Sequence, residues 1–132
     1  MTTPVGLETD IGDPLAHARS GEVYLREGEQ VVPVLAPART IDDILTEAQA
    51  PSVIDLLSLD VEGAEIEVLK GLDHSRFRFR FILVECRSPE LLETYLNDEG
   101  YALVDRLSQH DFLFEDAHEA GRIPLQAARR LP

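Results

Sequence analysis

The chain has one cysteine, few basic side chains and no long apolar run. A single thiol, Cys86, excludes an intrachain disulfide and fits a reducing compartment. Lys and Arg number 12 against 25 Asp and Glu, which leaves a formal net charge of -13. A surface of that sign repels phosphate, so nucleic acid is excluded as a partner, and so is an anionic membrane. No stretch approaches the roughly 18 consecutive apolar residues of a membrane span. The opening Met1-Thr-Thr-Pro lacks the basic start and apolar run of a secretory leader. The expectation is an acidic, soluble protein of the cytoplasm.

What is present suffices for a core. The length of 132 residues suits one domain, and 44% of them are hydrophobic. Residues 1–20 show no clean period and read as an irregular arm, with a short helical turn around Leu15–Ala18. The domain proper spans 21–116, and 117–132 form a tail. Gly21 to Val34 reads as a hairpin turning at Glu27-Gly28-Glu29, because Val23 and Leu25 alternate with polar neighbours before it, as does Val32 less strictly after it. Pro33 places its second strand at an edge. Thr40 has the chemistry of a helix N-cap, with Asp42 and Asp43 in the first turn. Ile41, Ile44 and Leu45 form that helix's apolar face, and Ala50-Pro51-Ser52 ends it.

Strand Val53–Leu59 is apolar apart from Asp55 and Ser58, the pattern of a strand covered on both faces in a parallel sheet. Helix Ala64–Lys70 follows, closed by Gly71. Phe79–Glu85 is the next strand. Ser88, with Pro89 behind it, starts a third helix that presents Leu91, Leu92, Tyr95 and Leu96 inward and stops at Gly100. Tyr101–Leu107 and Asp111–Phe114 are joined by Ser108-Gln109-His110, a link short enough to make them antiparallel neighbours. The expected fold is α/β: a mixed, mainly parallel sheet with flanking helices and a C-terminal antiparallel strand pair.

The stretch Ile54-Asp-Leu-Leu-Ser-Leu-Asp-Val-Glu-Gly-Ala-Glu holds the candidate chemistry. In open α/β sheets, ligands sit beyond the carboxyl ends of strands. Asp60 and Glu62 stand at such an end, two apart, so an extended backbone would put them on one face. Either carboxylate can take a proton from an acceptor or hold a divalent cation. The structural alternatives are a helix N-cap for Asp60 and a first-turn partner of the helix dipole for Glu62. Gly63 permits a tight turn or the close approach of a ligand. Glu65 and Glu67 read as solvated helix charges. Glu85 ends an apolar strand, either as a site residue or as a surface charge. His110 either reaches an acceptor or sits solvated in its turn. The four histidines show no metal spacing. Cys86 reads as a buried, inert thiol, and Arg76, Arg78 and Arg80, alternating with Phe77, Phe79 and Phe81, read as a half-exposed strand entry.

Thr40-Ile-Asp-Asp-Ile-Leu, the Asp60-Val-Glu-Gly-Ala-Glu turn, Val68-Leu-Lys-Gly-Leu, Phe81-Ile-Leu-Val-Glu and Gly100-Tyr together resemble the FkbM-type methyltransferases over roughly residues 21–115. The resemblance implies a class I, Rossmann-like fold and transfer of a methyl group from S-adenosylmethionine to a hydroxyl of a small molecule or sugar. It implies catalytic roles for Asp60 and Glu62, cofactor contacts from Asp60 and Gly63, and an acceptor contact from Glu85; His110 is the further candidate for an acceptor contact, and no residue is assigned to a metal. Asp60, Glu62 and Gly63 then lie at the end of the fourth strand of such a fold and Glu85 at the end of the fifth. The family's glycine-rich turn and ribose-binding acidic residue have no counterpart, so the chain resembles the second half of the domain. The alternative is a non-catalytic remnant that binds or oligomerises. Strand 53–59 would then expose an apolar edge, to be covered by the hairpin 22–34 or by a second chain, whether as a homodimer or as the missing N-terminal half.

Overall fold

The computed structural model describes residues 19, 21–30, 32 and 37–118. The expected arm and tail, with the turn at Leu15–Ala18, lie almost wholly outside the described residues. In order come a 3-10 helix Gly21–Tyr24, α1 (Ile41–Glu47), β1 (Val53–Leu59), α2 (Glu65–Lys70), β2 (Arg78–Glu85), α3 (Pro89–Asp98), β3 (Tyr101–Arg106) and β4 (Asp111–Asp116).

Local chemistry sets the helix ends. Thr40 Oγ1 accepts from the Asp43 N–H at 3.1 Å, as its N-cap position demands. Gly71 closes α2. Pro89 occupies the start of α3, where its missing N–H costs nothing. Leu92 and Leu96 are fully buried, but Leu91 is 65% exposed and leaves the inward stripe assigned to it.

The four strands form one sheet in the order β1-β2-β4-β3. Only β1 and β2 pair in parallel; β2 with β4 and β4 with β3 are antiparallel. The sheet is mixed, and the expectation of a mainly parallel one is corrected. The hairpin β3–β4 does form, but β4 inserts beside β2 and pushes β3 to the far edge. The crossover through α3 therefore never yields a parallel neighbour.

One face of the sheet carries the core. Leu59, Ile82, Val84, Phe112 and Phe114 join Leu69, Leu72, Leu92, Leu96 and Tyr101 in one buried cluster. The alternate positions fill the other face. There Phe81, Leu83 and Leu113 are half-buried and Leu56 is 52% exposed. Strand β1 was expected to be covered on both faces; instead only Leu59 is buried in it. Its outer edge pairs with nothing among the described residues.

Among the described residues, no part of the expected hairpin 22–34 pairs with β1. Gly21–Tyr24 winds into a 3-10 turn, with the Leu25 N–H bonded to the Glu22 carbonyl at 3.1 Å. Residues 21–30 and 32 contain no strand; 31 and 33–36 lie outside the described residues. Alternation specifies a strand only where one face is buried, and Val23 and Tyr24 are 80% and 83% exposed.

Arg78 opens β2 partly exposed, as expected, but it does more than start a strand. Its guanidinium forms a fork on Asp116, Nε to Oδ2 at 2.9 Å and Nη2 to Oδ1 at 2.7 Å. It also donates to the Glu99 carbonyl at 2.7 Å and lies over the Tyr101 ring at 4.1 Å. The Tyr101 hydroxyl accepts from the Phe79 N–H at 3.2 Å. Together these contacts tie β2, β3, β4 and the end of α3.

His74 is buried beside this group, edge-on to Tyr95 and Tyr101. Burial pushes its pKa below 6.5, seconded by Arg78 and opposed by Glu99 and Asp73. The unfolded chain therefore takes up the proton first, and stability present above pH 6.5 is lost as pH falls through the folded value. Urea titrations at pH 8 and 5.5 should show that loss, and His74→Gln should flatten the part of the slope between them.

Candidate functional site

Parallel pairing brings two carboxylates together. Leu59 registers with Val84, so β1 and β2 run out side by side, and Asp60 and Glu85 follow at their ends. Glu85 in turn registers with Asp111, the first residue of β4. Three neighbouring strands thus each bring one carboxylate to one end of the sheet.

The chain leaves β1 through a turn of unusual backbone. Glu62 has φ +55° and Gly63 φ +92°. Glycine takes this conformation freely, but at Glu62 it costs about 1–2 kcal/mol. Such outliers persist only where the surroundings enforce them, and they gather at sites. The N-cap of α2 is Ala64, with no side-chain cap bond. Asp60 is therefore not the helix cap, one of its two sequence readings. Glu65 is not a solvated charge either: it is 3% exposed, and its Oε1 accepts from the Val61 N–H at 3.1 Å and the Gly63 N–H at 3.0 Å.

Asp60, Glu62, Gly63, Glu65, Glu85, Cys86 and Arg87 line a small, solvent-open depression. Pockets that enclose a small ligand run to about 300–1,000 Å3, and this depression is open and far smaller. Its field is negative. Asp60 first, then partial burial, Asp111 and Glu62, push the Glu85 carboxyl above its ordinary pKa, and His110 pulls it back. Cys86 is buried in the core cluster, and its Sγ receives the Ser88 N–H at 3.3 Å. That is the environment of an inert thiol.

The sequence-predicted residues converge. Asp60, Glu62, Gly63 and Glu85 share the depression, and His110 stands near enough to act on Glu85. The His110 side chain is exposed, and its carbonyl accepts from the Cys86 N–H at 2.8 Å. Among the described residues, no group of three or more His, Cys, Asp and Glu side chains is arranged to hold a metal ion. Nor is any described helix long and apolar enough to cross a membrane. Sequence reasoning missed Glu65, Arg87 and Asp111. Glu65 was legible in principle, since a left-handed turn leaves N–H groups for a nearby acceptor. Asp111 needed the strand order, and Arg87 gave no signal.

The sequence profile of the family described as "Methyltransferase FkbM domain" matches residues 5–114. The methyltransferase sdnD of Sordaria araneosa is 45% identical over 53 residues, which cover 36% of this chain and 20% of that protein. The 2-O-methyltransferase NoeI of Sinorhizobium fredii (strain NBRC 101917 / NGR234) is 39% identical over 64 residues, 48% of this chain and 26% of that protein. The chain thus spans about a quarter or less of the length of these relatives. No solved structure matches.

Proposed function

The chain belongs to the FkbM methyltransferase family, and on that premise we propose that it forms the acceptor side of an S-adenosylmethionine-dependent O-methyltransferase acting on a hydroxyl of a small molecule or sugar. The observation that carries this reading is the meeting of Asp60, Glu62 and Glu85 in one open depression at the carboxyl ends of β1 and β2. The printed name of one relative, a 2-O-methyltransferase, supports oxygen as the atom methylated.

The donor set fits the cofactor's cationic end. S-adenosylmethionine supplies a methyl group already activated on a positively charged sulfonium. Asp60 and the backbone at Gly63 would hold that end, where the negative field of the depression favours positive charge. The depression is too small for the adenosine portion, which is left to residues outside it, in keeping with the absent glycine-rich turn. The protein's remaining work is alignment and proton transfer. An acceptor hydroxyl placed between Glu62, Glu85 and His110 donates its hydrogen bond to a carboxylate. As the oxygen loses its proton, Glu85 is suited to receive it, because the charge of Asp60 raises its proton affinity.

Calorimetry tests this reading with two probes that differ in the charge at sulfur. S-adenosylmethionine should bind several-fold more tightly than S-adenosylhomocysteine, and Asp60→Asn should erase the preference. Absence of heat from both at millimolar concentration would refute it.

A second reading rests on a separate observation. The edge of β1, which pairs with nothing among the described residues, and the exposed Leu56 offer a seat for another chain, either a second copy or a polypeptide carrying the glycine-rich half. On this reading the chain is a binding or oligomerising module. Light scattering should then show mass rising with protein concentration and with salt, which screens the net charge of -13. Leu56→Lys should hold the chain at monomer mass. A constant monomer mass in the native chain would remove the homodimer.

A further inference from the structure

We propose that Glu65 is the positioning residue of the acidic depression: its carboxylate clamps the turn after β1 and so fixes where Asp60 and Glu62 stand relative to Glu85. The proposal rests on the methyl-transfer reading for its consequence, though not for its geometry.

Burying a carboxylate is costly unless it is hydrogen-bonded, and Glu65 is 3% exposed. A first-turn glutamate that merely complemented a helix dipole would stay in water. Glu65 instead spends one oxygen, Oε1, on two N–H groups outside its own helix, those of Val61 and Gly63. The residue between those two groups is Glu62, held at φ +55°. The clamp therefore brackets the one non-glycine residue of this turn in the left-handed region. It also leaves the helix start uncapped by any side chain, since Ala64 is the N-cap. Two unfavourable terms, a buried carboxylate and a left-handed glutamate, meet in one turn whose product is a fixed display of Asp60 and Glu62. Asp60 is the largest influence on Glu85 and Glu62 a further one, so the titration of Glu85 reports how the turn is held.

Carbon-detected NMR of the Glu85 carboxyl, with hydrogen exchange of the Val61 and Gly63 amides, tests the clamp. Glu65→Gln keeps the accepting oxygen and should keep both amides protected and Glu85 raised. Glu65→Ala should speed exchange at both amides at least tenfold and let Glu85 titrate back toward its ordinary range. If the alanine variant fails to fold, Glu65→Asp, one methylene short, serves the same comparison. The proposal is overturned if Glu85 titrates alike in the native chain and the Ala or Asp variant, or if Gln and Ala alter it equally. Neither readout uses methyl transfer. If Glu85 follows Glu65 but no cofactor binds, the clamp stands and the functional reading falls. If cofactor binds equally to native and alanine chains, with Glu85 unmoved, the reading stands and the clamp falls.

Discussion

Asp116→Ala should cost about 3–5 kcal/mol of folding stability, the usual penalty for stranding one partner of a buried ion pair. Asp116 is 2% exposed, and the Arg78 side chain it holds only 18%. The loss would be a large share of the roughly 5–15 kcal/mol that holds a domain together. Burial alone would raise the Asp116 carboxyl; hydrogen bonds from Arg78 and the His118 N–H outweigh it and hold the pKa below 3.8. A carboxylate lowered in the folded state contributes stability above its unfolded pKa and loses it as pH falls through the folded one. The native chain should therefore lose this contribution in strong acid, and Asp116→Ala should not. The double change Arg78→Met with Asp116→Leu should recover part of the loss by removing both charges. Recovery stays incomplete because the Glu99 carbonyl, 2.7 Å from Arg78 Nη1, is left without that donor. Urea unfolding of the native chain and the two variants measures each term.

Asp60→Asn should lower methyl transfer by about 10²–10⁴-fold, the range for a mispositioned or mistuned proton acceptor. Stability should move by no more than about 0.5 kcal/mol, since Asp60 is exposed and outside any regular element. Two effects act together. The amide removes the negative charge facing the cofactor's cationic end, and it removes the leading influence that raises Glu85. The Glu85 carboxyl should then titrate nearer its ordinary range. Rates measured on any hydroxyl acceptor that the native chain methylates, with KM and kcat separated, distinguish weaker cofactor binding from slower proton transfer. Unchanged kcat and unchanged cofactor affinity would remove Asp60 from the site.

The parts of this molecule that a reader of the sequence can find are the parts set by near neighbours. Thr40 caps its helix because a hydroxyl beside Asp42 and Asp43 can reach an N–H three residues on. Strands β1 and β2 declare themselves by apolar runs, and the carboxylates at their ends follow from where ligands sit in α/β sheets. Strand order is a different kind of fact. That β4 lies between β2 and β3 depends on pairings across 26 to 34 positions (from Glu85 with Asp111 to Phe81 with Glu115) that no local pattern encodes. Arg78 and Asp116 are 38 residues apart, and their fork could not be read from a strand that merely alternates Arg and Phe. Glu65 was hidden by the opposite cause: its place in the first turn of a helix already had a sufficient explanation. The Val23 and Leu25 alternation misled because nothing buries one of its faces.

Amide NMR of the labelled chain during titration with S-adenosylmethionine tests the central claim most directly. The account predicts shifts that saturate at Val61, Glu62, Gly63, Glu85 and Cys86, while Ala102 and Leu103 on the far strand stay still. Saturating shifts confined to the far strand, or none at millimolar cofactor, would contradict it.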